Sequence, residues 1–158
     1  MATVFIPGSF DPLHLGHVDV VDQALELFGG VVVGVLHNPE KPSGMFTPAE
    51  RVELARASLQ GRTDVGVREF TGLAVQAAAD VGADFIVKGL RSAADYDVEQ
   101  QMAHNNHAVT GIRTVFVPCR PEYAYISSRY IREIATHGGA IGHLVTAPVA
   151  AALAARFA

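Results

Sequence analysis

Apolar positions along this chain follow two alternating patterns: short continuous runs, and longer stretches in which an apolar residue recurs every three or four positions. Continuous runs such as Val31-Val32-Val33 and Phe85-Ile86-Val87 predict strands that are covered on both faces, as in a parallel sheet. The predicted strands are residues 3–6, 31–36, 65–70, 84–88 and 113–117.

The stretches between these runs predict helices. In the first, Val18, Val21 and Leu25 recur at helical spacing, and the pattern stops at Gly29-Gly30. The second opens with Thr47-Pro48-Ala49-Glu50, a capping box with proline at the first helical position. The predicted helices are residues 17–28, a helix that starts at 47, and residues 73–81, 93–109, 127–137 and 148–157.

Five strand-to-helix alternations in 158 residues predict an α/β fold. We expect a single doubly wound domain over residues 1–158, with a five-stranded parallel sheet and helices on both faces. No internal repeat, low-complexity segment or linker interrupts the pattern. Ligands of such folds bind beyond the carboxyl ends of the strands, so the residues that follow each strand are the candidates for chemistry.

The segment after the first strand, Pro7 to His17, is the most informative part of the chain. A strand, a turn and a helix start in succession aim backbone N–H groups and the positive end of a helix dipole at one point, where an anion can bind. His14 and His17 fall on one face of the first helical turn, and Gly16 leaves room for a phosphate to approach. Capping or solvated histidines are the alternative. A zinc site lacks a third ligand at metal spacing.

Cationic residues follow other strands on the same side of the sheet. The chain has ten Arg but only two Lys, and these follow the second strand (Lys41) and the end of the fourth strand (Lys88, followed by Arg91). Ser127-Ser128 opens a helix after the fifth strand. A cationic pocket on a chain with a net charge of −4 predicts a small polyanionic ligand and argues against a nucleic acid. The alternatives are a solvated loop lysine at 41 and a plain N-cap at 127.

Composition limits the cellular setting. No apolar run approaches the ~20 residues that span a membrane, and no signal peptide is recognisable before the first strand. Cys119 is the only cysteine and cannot form an internal disulfide. We expect it to be a small buried hydrophobe, and we expect a cytoplasmic protein with no membrane partner.

The candidate residues suit phosphoryl or nucleotidyl transfer, in which the protein positions reactants and neutralises charge. No Walker loop, G-x-G-x-x-G motif, Ser-His-Asp arrangement or pair of catalytic carboxylates is recognisable. A phosphate monoester with a second pKa of about 6 is mostly dianionic at neutral pH, so it attacks without a general base. His17 is then the natural donor to the charge that grows on the attacked phosphate. Asp11 is expected to start a turn and to do no chemistry.

Two groups of motifs resemble a known family. Gly8-Ser9-Phe10-Asp11-Pro12 with His14-Leu15-Gly16-His17 resembles the signature of the HxGH nucleotidyltransferase superfamily. Three further segments resemble the bacterial phosphopantetheine adenylyltransferases within it, over nearly the whole chain. They are Lys88-Gly89-Leu90-Arg91 with Asp95-Tyr96, Glu99 and Gln101-Met102-Ala103; Tyr125-Ile126-Ser127-Ser128; and Arg132-Glu133-Ile134.

The resemblance implies a Rossmann-like nucleotidyltransferase fold and transfer of AMP from ATP to 4′-phosphopantetheine. The products are dephospho-coenzyme A and pyrophosphate, in the penultimate step of coenzyme A synthesis. It also implies Mg²⁺ as cofactor, a homohexamer and coenzyme A as a feedback ligand. No residue of the chain is expected to ligate the metal.

Residue roles follow from the same resemblance. His17 would stabilise the transition state, with Lys41 and Arg91 as further catalytic residues. The expected 4′-phosphopantetheine site is Ser9, Lys41, Leu73, Ala74, Lys88 and Asn106. The expected ATP site is Ser9, Phe10, His17, Gly89, Leu90, Arg91, Glu99, Tyr123, Ala124, Tyr125, Ile126, Ser127, Ser128 and Arg129.

The chain departs from the common family pattern at His14, Ala74, Val98 and Arg129, and His14 also suits nicotinamide mononucleotide adenylyltransferases. That activity is the nearest alternative, although the chain has no Trp to stack on nicotinamide. A cytidylyltransferase is a more distant one. A non-catalytic nucleotide-binding domain is the alternative from another class. For Asn106, Glu99, His104 and His107, a helix surface that faces solvent or another subunit is the alternative.

Overall fold

The computed structural model describes residues 1–42 and 44–158. Five strands form one sheet in which every neighbouring pair is parallel, in the order β3-β2-β1-β4-β5. The predicted five-stranded parallel sheet is therefore confirmed, and each strand lies within a few residues of its predicted bounds. The strands are β1 Ala2–Gly8, β2 Gly29–His37, β3 Val65–Thr71, β4 Phe85–Leu90 and β5 Arg113–Pro118.

The helices begin and end where the sequence places caps. The predicted capping box at Thr47 is present, with Glu50 bonded back to the Thr47 amide. The helix that ends before Gly111 stops because that glycine takes a left-handed backbone. The helices are α1 Leu15–Phe28, α2 Pro48–Ser58, α3 Ala74–Asp80, α4 Ala93–Thr110, α5 Ser128–Thr136 and α6 Ala147–Arg156, with a 3₁₀ turn at Pro121–Tyr123. Among the described residues, no helix combines the length and apolarity that a membrane crossing needs.

The chain reverses its direction of winding between β1 and β4. From β1 it runs through α1 to β2 and on to β3 at one edge, and it then returns through α3 to β4 on the other side of β1. The crevice between the carboxyl ends of β1 and β4 is the place where doubly wound folds bind ligands. The histidine segment follows β1, and the segment from Lys88 to Arg91 spans the end of β4.

Helices cover both faces of the sheet, as predicted. One face packs against α1 and α2 through residues such as Val21 and Val52, and the other packs against α3 through Val75 and Ala78. A third apolar cluster joins α5 and α6 to Phe46. Helix α4 differs from the others because none of its eighteen residues is buried.

Candidate active site

A cavity of about 420 Å³ lies at the crevice between β1 and β4. Its floor comes from both strands, with Ile6 and Pro7 from β1 and Val87 from β4. Its described lining carries four positively charged side chains and one carboxylate, although the whole chain has a net charge of −4. The cations are Lys88, Arg91, Arg129 and Arg132, and the carboxylate is Glu99. A cavity with this lining favours a compact polyanion.

The two histidines of the segment cap helix α1 as a reciprocal pair. His14 is the N-cap residue, and its Nδ1 accepts the Gly16 N–H at 3.1 Å. The Nδ1 of His17 in turn accepts the His14 N–H at 3.2 Å. The two rings stack with centroids 3.7 Å apart, and Phe10 packs edge-on against His17. The capping alternative is therefore correct, and it does not compete with a role in the cavity, which both rings line.

This capping arrangement determines which nitrogen of each ring carries the proton. A neutral imidazole has one donor nitrogen and one acceptor nitrogen. Because each Nδ1 accepts a backbone N–H, the proton of each ring is on Nε2. Neither Nε2 has a protein partner among the described residues, and neither is among the fully buried polar atoms without a partner. Both rings thus offer an N–H donor to a ligand in the cavity.

The surroundings keep both imidazoles uncharged. Burial, followed by the positive charge of Arg91, lowers the pKa of His14 to about 3. Burial also lowers the pKa of His17 well below its usual value, and His14 and Arg91 add to that effect. Both residues are therefore neutral donors across the physiological pH range.

Arg91 is held in place at the start of helix α4. Its backbone N–H and its guanidinium both donate to Asp95, and its Nη1 donates to the carbonyl oxygen of Ile126 at 3.2 Å. Burial alone would raise the pKa of Asp95, but the hydrogen bonds from Arg91 outweigh it and lower that pKa. The guanidinium therefore keeps a fixed position at the cavity wall while it bridges β4 to the segment before α5.

Helix α5 contributes hydroxyl groups and cations to the opposite wall. Ser127 is its N-cap, as the alternative for this residue proposed, and its Oγ accepts the Tyr130 N–H. The hydroxyl of Ser128 donates to the carbonyl of Pro12 at 2.8 Å and ties α5 to the histidine segment. Both serines also line the cavity.

Arg132 is a cavity residue that the sequence analysis did not assign to the site. Its Nη1 donates to the carbonyl of Asp11 at 2.7 Å, which keeps the guanidinium against the histidine segment. A signal was available in the sequence, because Arg132 follows Ser128 by four positions and residues at that spacing share a helix face.

Asp11 organises the segment from below the cavity. It is buried, and its carboxylate accepts the N–H groups of Met45 and Phe46. The buried Arg51 lies 3.5 Å away and also donates to the carbonyl of Phe46. The sequence analysis predicted only that Asp11 starts a turn and does no chemistry. The structure adds a structural role, because Asp11 anchors the loop that enters helix α2.

The two glycines of the motifs serve protein packing. A Cβ on Gly16 would lie 3.0 Å from the His14 ring and 3.4 Å from the Tyr123 carbonyl oxygen. A Cβ on Gly89 would lie 2.5 Å from Val20 and 3.3 Å from the Cys119 sulfur. Gly16 thus makes room for the stacked histidine, and Gly89 lets α1 approach β4. The prediction that Gly16 makes room for a phosphate is therefore replaced by a packing role against the His14 ring.

The predicted site residues divide into two groups. The cavity is lined by Phe10, His17, Lys88, Gly89, Arg91, Glu99, Ser127, Ser128 and Arg129. The other predicted residues do not line this cavity, and they lie at the end of β4, at the start of α3, on α4 and in the segments between elements: Ser9, Lys41, Leu73, Ala74, Leu90, Asn106, Tyr123, Ala124, Tyr125 and Ile126. The second group includes Lys41, which is exposed on the loop after β2. Only one of the two lysines therefore meets the histidines in the cavity.

Cys119 also lines the cavity and is half-buried. Burial and the nearby Asp19 carboxylate raise the pKa of its thiol. It therefore stays protonated at neutral pH, as a small apolar side chain would, but its position at the cavity makes it less buried than the sequence analysis predicted.

Comparisons with known proteins identify relatives over the whole chain. Residues 5–134 match the family model described as cytidylyltransferase-like. The chain is 41% identical to a phosphopantetheine adenylyltransferase of Corynebacterium diphtheriae, over 97% of this chain and 96% of that protein. It is 44% identical to a protein of the same name from a Synechococcus strain, over 96% and 95% of the two chains.

The fold recurs in a solved structure of much lower sequence similarity. A bifunctional NMN adenylyltransferase/ADP ribose pyrophosphatase from Francisella tularensis aligns with a TM-score of 0.72 at 14% identity. The alignment covers 98% of this chain and 49% of that protein. This likeness concerns the nucleotidyltransferase fold alone.

Proposed function

The chain belongs to the phosphopantetheine adenylyltransferases, within the cytidylyltransferase-like family, and on that premise we propose how its cavity transfers the adenylyl group of ATP to 4′-phosphopantetheine. The products are dephospho-coenzyme A and pyrophosphate, in the penultimate step of coenzyme A synthesis. The proposal concerns which residues perform each part of this reaction.

The reaction requires one bond to form and one to break at the same phosphorus. An oxygen of the acceptor's phosphate monoester attacks the α-phosphorus of ATP, and the bond from that phosphorus to the β-phosphate oxygen breaks, so that pyrophosphate leaves with the electron pair. The acceptor is mostly dianionic at neutral pH, because its second pKa is about 6, so no side chain has to remove a proton. The protein has to bring two anions together and to stabilise the negative charge of the transition state.

The observation that carries the proposal is the neutral His17 donor beside the cations of the cavity. His17 lines the cavity between β1 and β4, and the backbone N–H of His14 holds its ring through Nδ1, which leaves Nε2–H as the group available to a ligand. A donor that is already oriented and needs no reorganisation is worth most where charge develops, so we assign His17 to the oxygens of the α-phosphate. Arg91, Arg129 and Arg132 would take the β- and γ-phosphates, because they complete the cationic wall.

We assign the acceptor to the side of the cavity that Lys88 forms. Lys88 would hold the acceptor phosphate, and the exposed Lys41 and Leu73, with the partly buried Ala74, would meet the acceptor outside the cavity, along the sheet edge toward β2. Glu99 would accept hydrogen bonds from hydroxyl groups of the nucleotide, since among the described residues it is the only carboxylate that lines the cavity. Ser9, Asn106 and the segment from 123 to 126 keep the roles that the family resemblance implies.

We propose that Mg²⁺ enters as its complex with ATP. Within residues 1–42 and 44–158, no three His, Cys, Asp or Glu side chains converge as a ligand set. Mg²⁺ is commonly held by one or two carboxylates, water and substrate phosphates, so this lining fits an ion held mainly by the triphosphate. When bound, it neutralises charge on the pyrophosphate leaving group. Turnover should stop when a chelator is in excess over Mg²⁺ and return when Mg²⁺ is added back.

We further propose a homohexamer that is located in the cytoplasm and inhibited by coenzyme A. The exposed apolar residues of α4, Val98, Met102 and Val109, support assembly through this helix. Coenzyme A contains the whole of the reaction product, so it can compete for the same cavity. The net charge of −4 supports the absence of a nucleic-acid partner.

One assay distinguishes adenylyl transfer to 4′-phosphopantetheine from adenylyl transfer to nicotinamide mononucleotide. The purified chain is given ATP and Mg²⁺ with either 4′-phosphopantetheine or nicotinamide mononucleotide, and pyrophosphate release is measured. We expect release only with 4′-phosphopantetheine. Release with nicotinamide mononucleotide alone would overturn the assignment of the acceptor, and release with neither would favour a domain that only binds nucleotide.

A further inference from the structure

An ion pair crosses the cavity wall between β4 and α4. The Nζ atom of Lys88 donates to Oε1 of Glu99 at 3.3 Å, and the two side chains are 23% and 25% exposed. Both residues line the cavity. The other cations of the cavity are held differently. Arg91 pairs with Asp95 outside the cavity lining, and Arg132 donates to a backbone carbonyl. Lys88 is thus the cavity cation that a carboxylate within the cavity neutralises.

This arrangement makes Glu99 a competitor for any anion that binds Lys88. A phosphate can approach the ammonium closely only if the carboxylate moves away or tolerates a second negative charge nearby, and either change opposes binding. The opposition weakens when a ligand with hydroxyl groups engages the carboxylate, because those hydroxyl groups compete with Lys88 for its oxygens. A hydroxyl-bearing ligand on Glu99 and a phosphate on Lys88 therefore favour each other.

We propose that the Lys88–Glu99 ion pair couples the two substrate sites, so that nucleotide binding at Glu99 releases Lys88 for the phosphate of the acceptor. This rests on the proposed function, which assigns Glu99 to ATP and Lys88 to the acceptor. Coupling between binding sites is reciprocal, so the acceptor also raises the affinity for the nucleotide by the same factor. We expect about a 5-fold effect, at the low end of coupling between sites, because both side chains are partly exposed and the ion pair is screened.

The test is a binding titration of the full chain with 4′-phosphopantetheine, alone and with a saturating concentration of the Mg²⁺ complex of α,β-methylene ATP, which cannot react. In the wild type, the analogue should tighten acceptor binding by about 5-fold. Glu99→Gln keeps the shape of the side chain and removes its charge. This variant should bind the acceptor alone about 5-fold more tightly than the wild type, and the analogue should add almost nothing.

A matched control comes from the same helix. Asp97 is exposed and its carboxylate has no partner among the described residues, so Asp97→Asn makes the same change in net charge without contacting Lys88. It should behave like the wild type. Glu99→Asp, which shortens the side chain and weakens the ion pair, should give an intermediate acceptor affinity and provides a second test if Glu99→Gln folds poorly.

Either of two results with the Glu99→Gln variant would overturn the inference. One is that Glu99→Gln binds the acceptor no more tightly than the wild type. That result is expected if the Glu99 carboxylate only holds α4 against β4. The other is undiminished coupling in that variant. A wild type that binds the acceptor without coupling would refute this inference alone, whereas a wild type that does not bind the acceptor would refute the proposed function and the inference together.

Discussion

His14 and His17 illustrate how a single residue position acquires both a structural and a chemical role. Each ring uses Nδ1 to cap helix α1 and keeps Nε2–H for the cavity. The cap fixes each ring through Nδ1 and so places its proton on Nε2, and burial explains why both rings are uncharged. A threonine at position 14 would cap the helix without adding a second ring against His17.

Replacing His17 with Ala should remove the donor to the attacked phosphate. We expect turnover to fall by about 10²–10³-fold, as when one oxyanion donor is lost, while the affinity for α,β-methylene ATP changes much less. Pyrophosphate release and calorimetric titration measure the two quantities. His143→Ala, which removes an exposed histidine elsewhere, is the control. Turnover of the His17 variant within a few-fold of the wild type would exclude His17 from the mechanism.

The neutral histidines also predict how stability depends on pH. The unfolded chain takes up protons on both rings as the pH falls through about 6.5, whereas the folded chain resists until the pH is far lower. The free energy of unfolding should therefore decrease as the pH falls from about 6.5 to 4, by up to about 1.4 kcal/mol per pH unit for each ring. Urea denaturation at several pH values measures this slope.

Carboxylates also contribute to the loss of stability on acidification. The variant His17→Gln separates the contribution of His17 from theirs. It should show a smaller loss of stability on acidification than the wild type, because one ring no longer resists protonation. His143→Gln should keep the wild-type slope. Equal slopes in all three proteins would show that His17 is not held neutral.

At the scale of elements, the cavity depends on the close packing of α1 against β4. Gly89 makes this possible, because Val20 of α1 occupies the space where its side chain would be. The end of β4, which carries Lys88 and leads into Arg91, can thus lie close to the start of α1. Helix α4 then places Glu99 opposite Lys88.

Gly89→Ala should destabilise the fold by about 1–3 kcal/mol, because the added methyl group overpacks the contact with Val20 and Cys119. Gly66→Ala in β3 is the matched control, since a methyl group there meets nothing within 4 Å. Urea denaturation of both variants provides the measurement. Equal stability of the two variants would contradict the packing role of Gly89.

At the scale of the whole molecule, helix α4 presents apolar residues that a single chain leaves uncovered. Val98, Met102 and Val109 are 65%, 46% and 68% exposed, and their spacing of four and seven residues places them on one helix face. A long helix with an apolar face and no buried residue usually has a partner. This surface is the physical basis for the proposed assembly.

Light scattering after size-exclusion chromatography should give a mass six times the chain mass of 16.7 kDa. Val109→Glu should reduce that mass, because a charge would be buried in the contact. Leu27→Glu, on an equally exposed position of α1, should leave it unchanged. A monomeric wild type would refute the assembly, and a Val109 variant of unchanged mass would move the contact away from this end of α4.

The periodicity of apolar residues determined the type and order of the elements, because a buried parallel strand and an amphipathic helix have different repeats. The rule that ligands bind at strand ends then selected His17, Lys88 and Arg91, and the cavity contains all three. These features depend on neighbours along the chain, which the sequence displays directly.

Only the tertiary structure decided how side chains from distant segments meet. The exposed position of Lys41, the Arg132 contact with Asp11 and the pairing of Lys88 with Glu99 all depend on how strands, loops and helices pack. The protonation of the histidines belongs here too, since it follows from burial as well as from the cap. The periodicity of apolar residues shows which face of an element a residue occupies. Which side chain it contacts on another element depends on how the two elements pack.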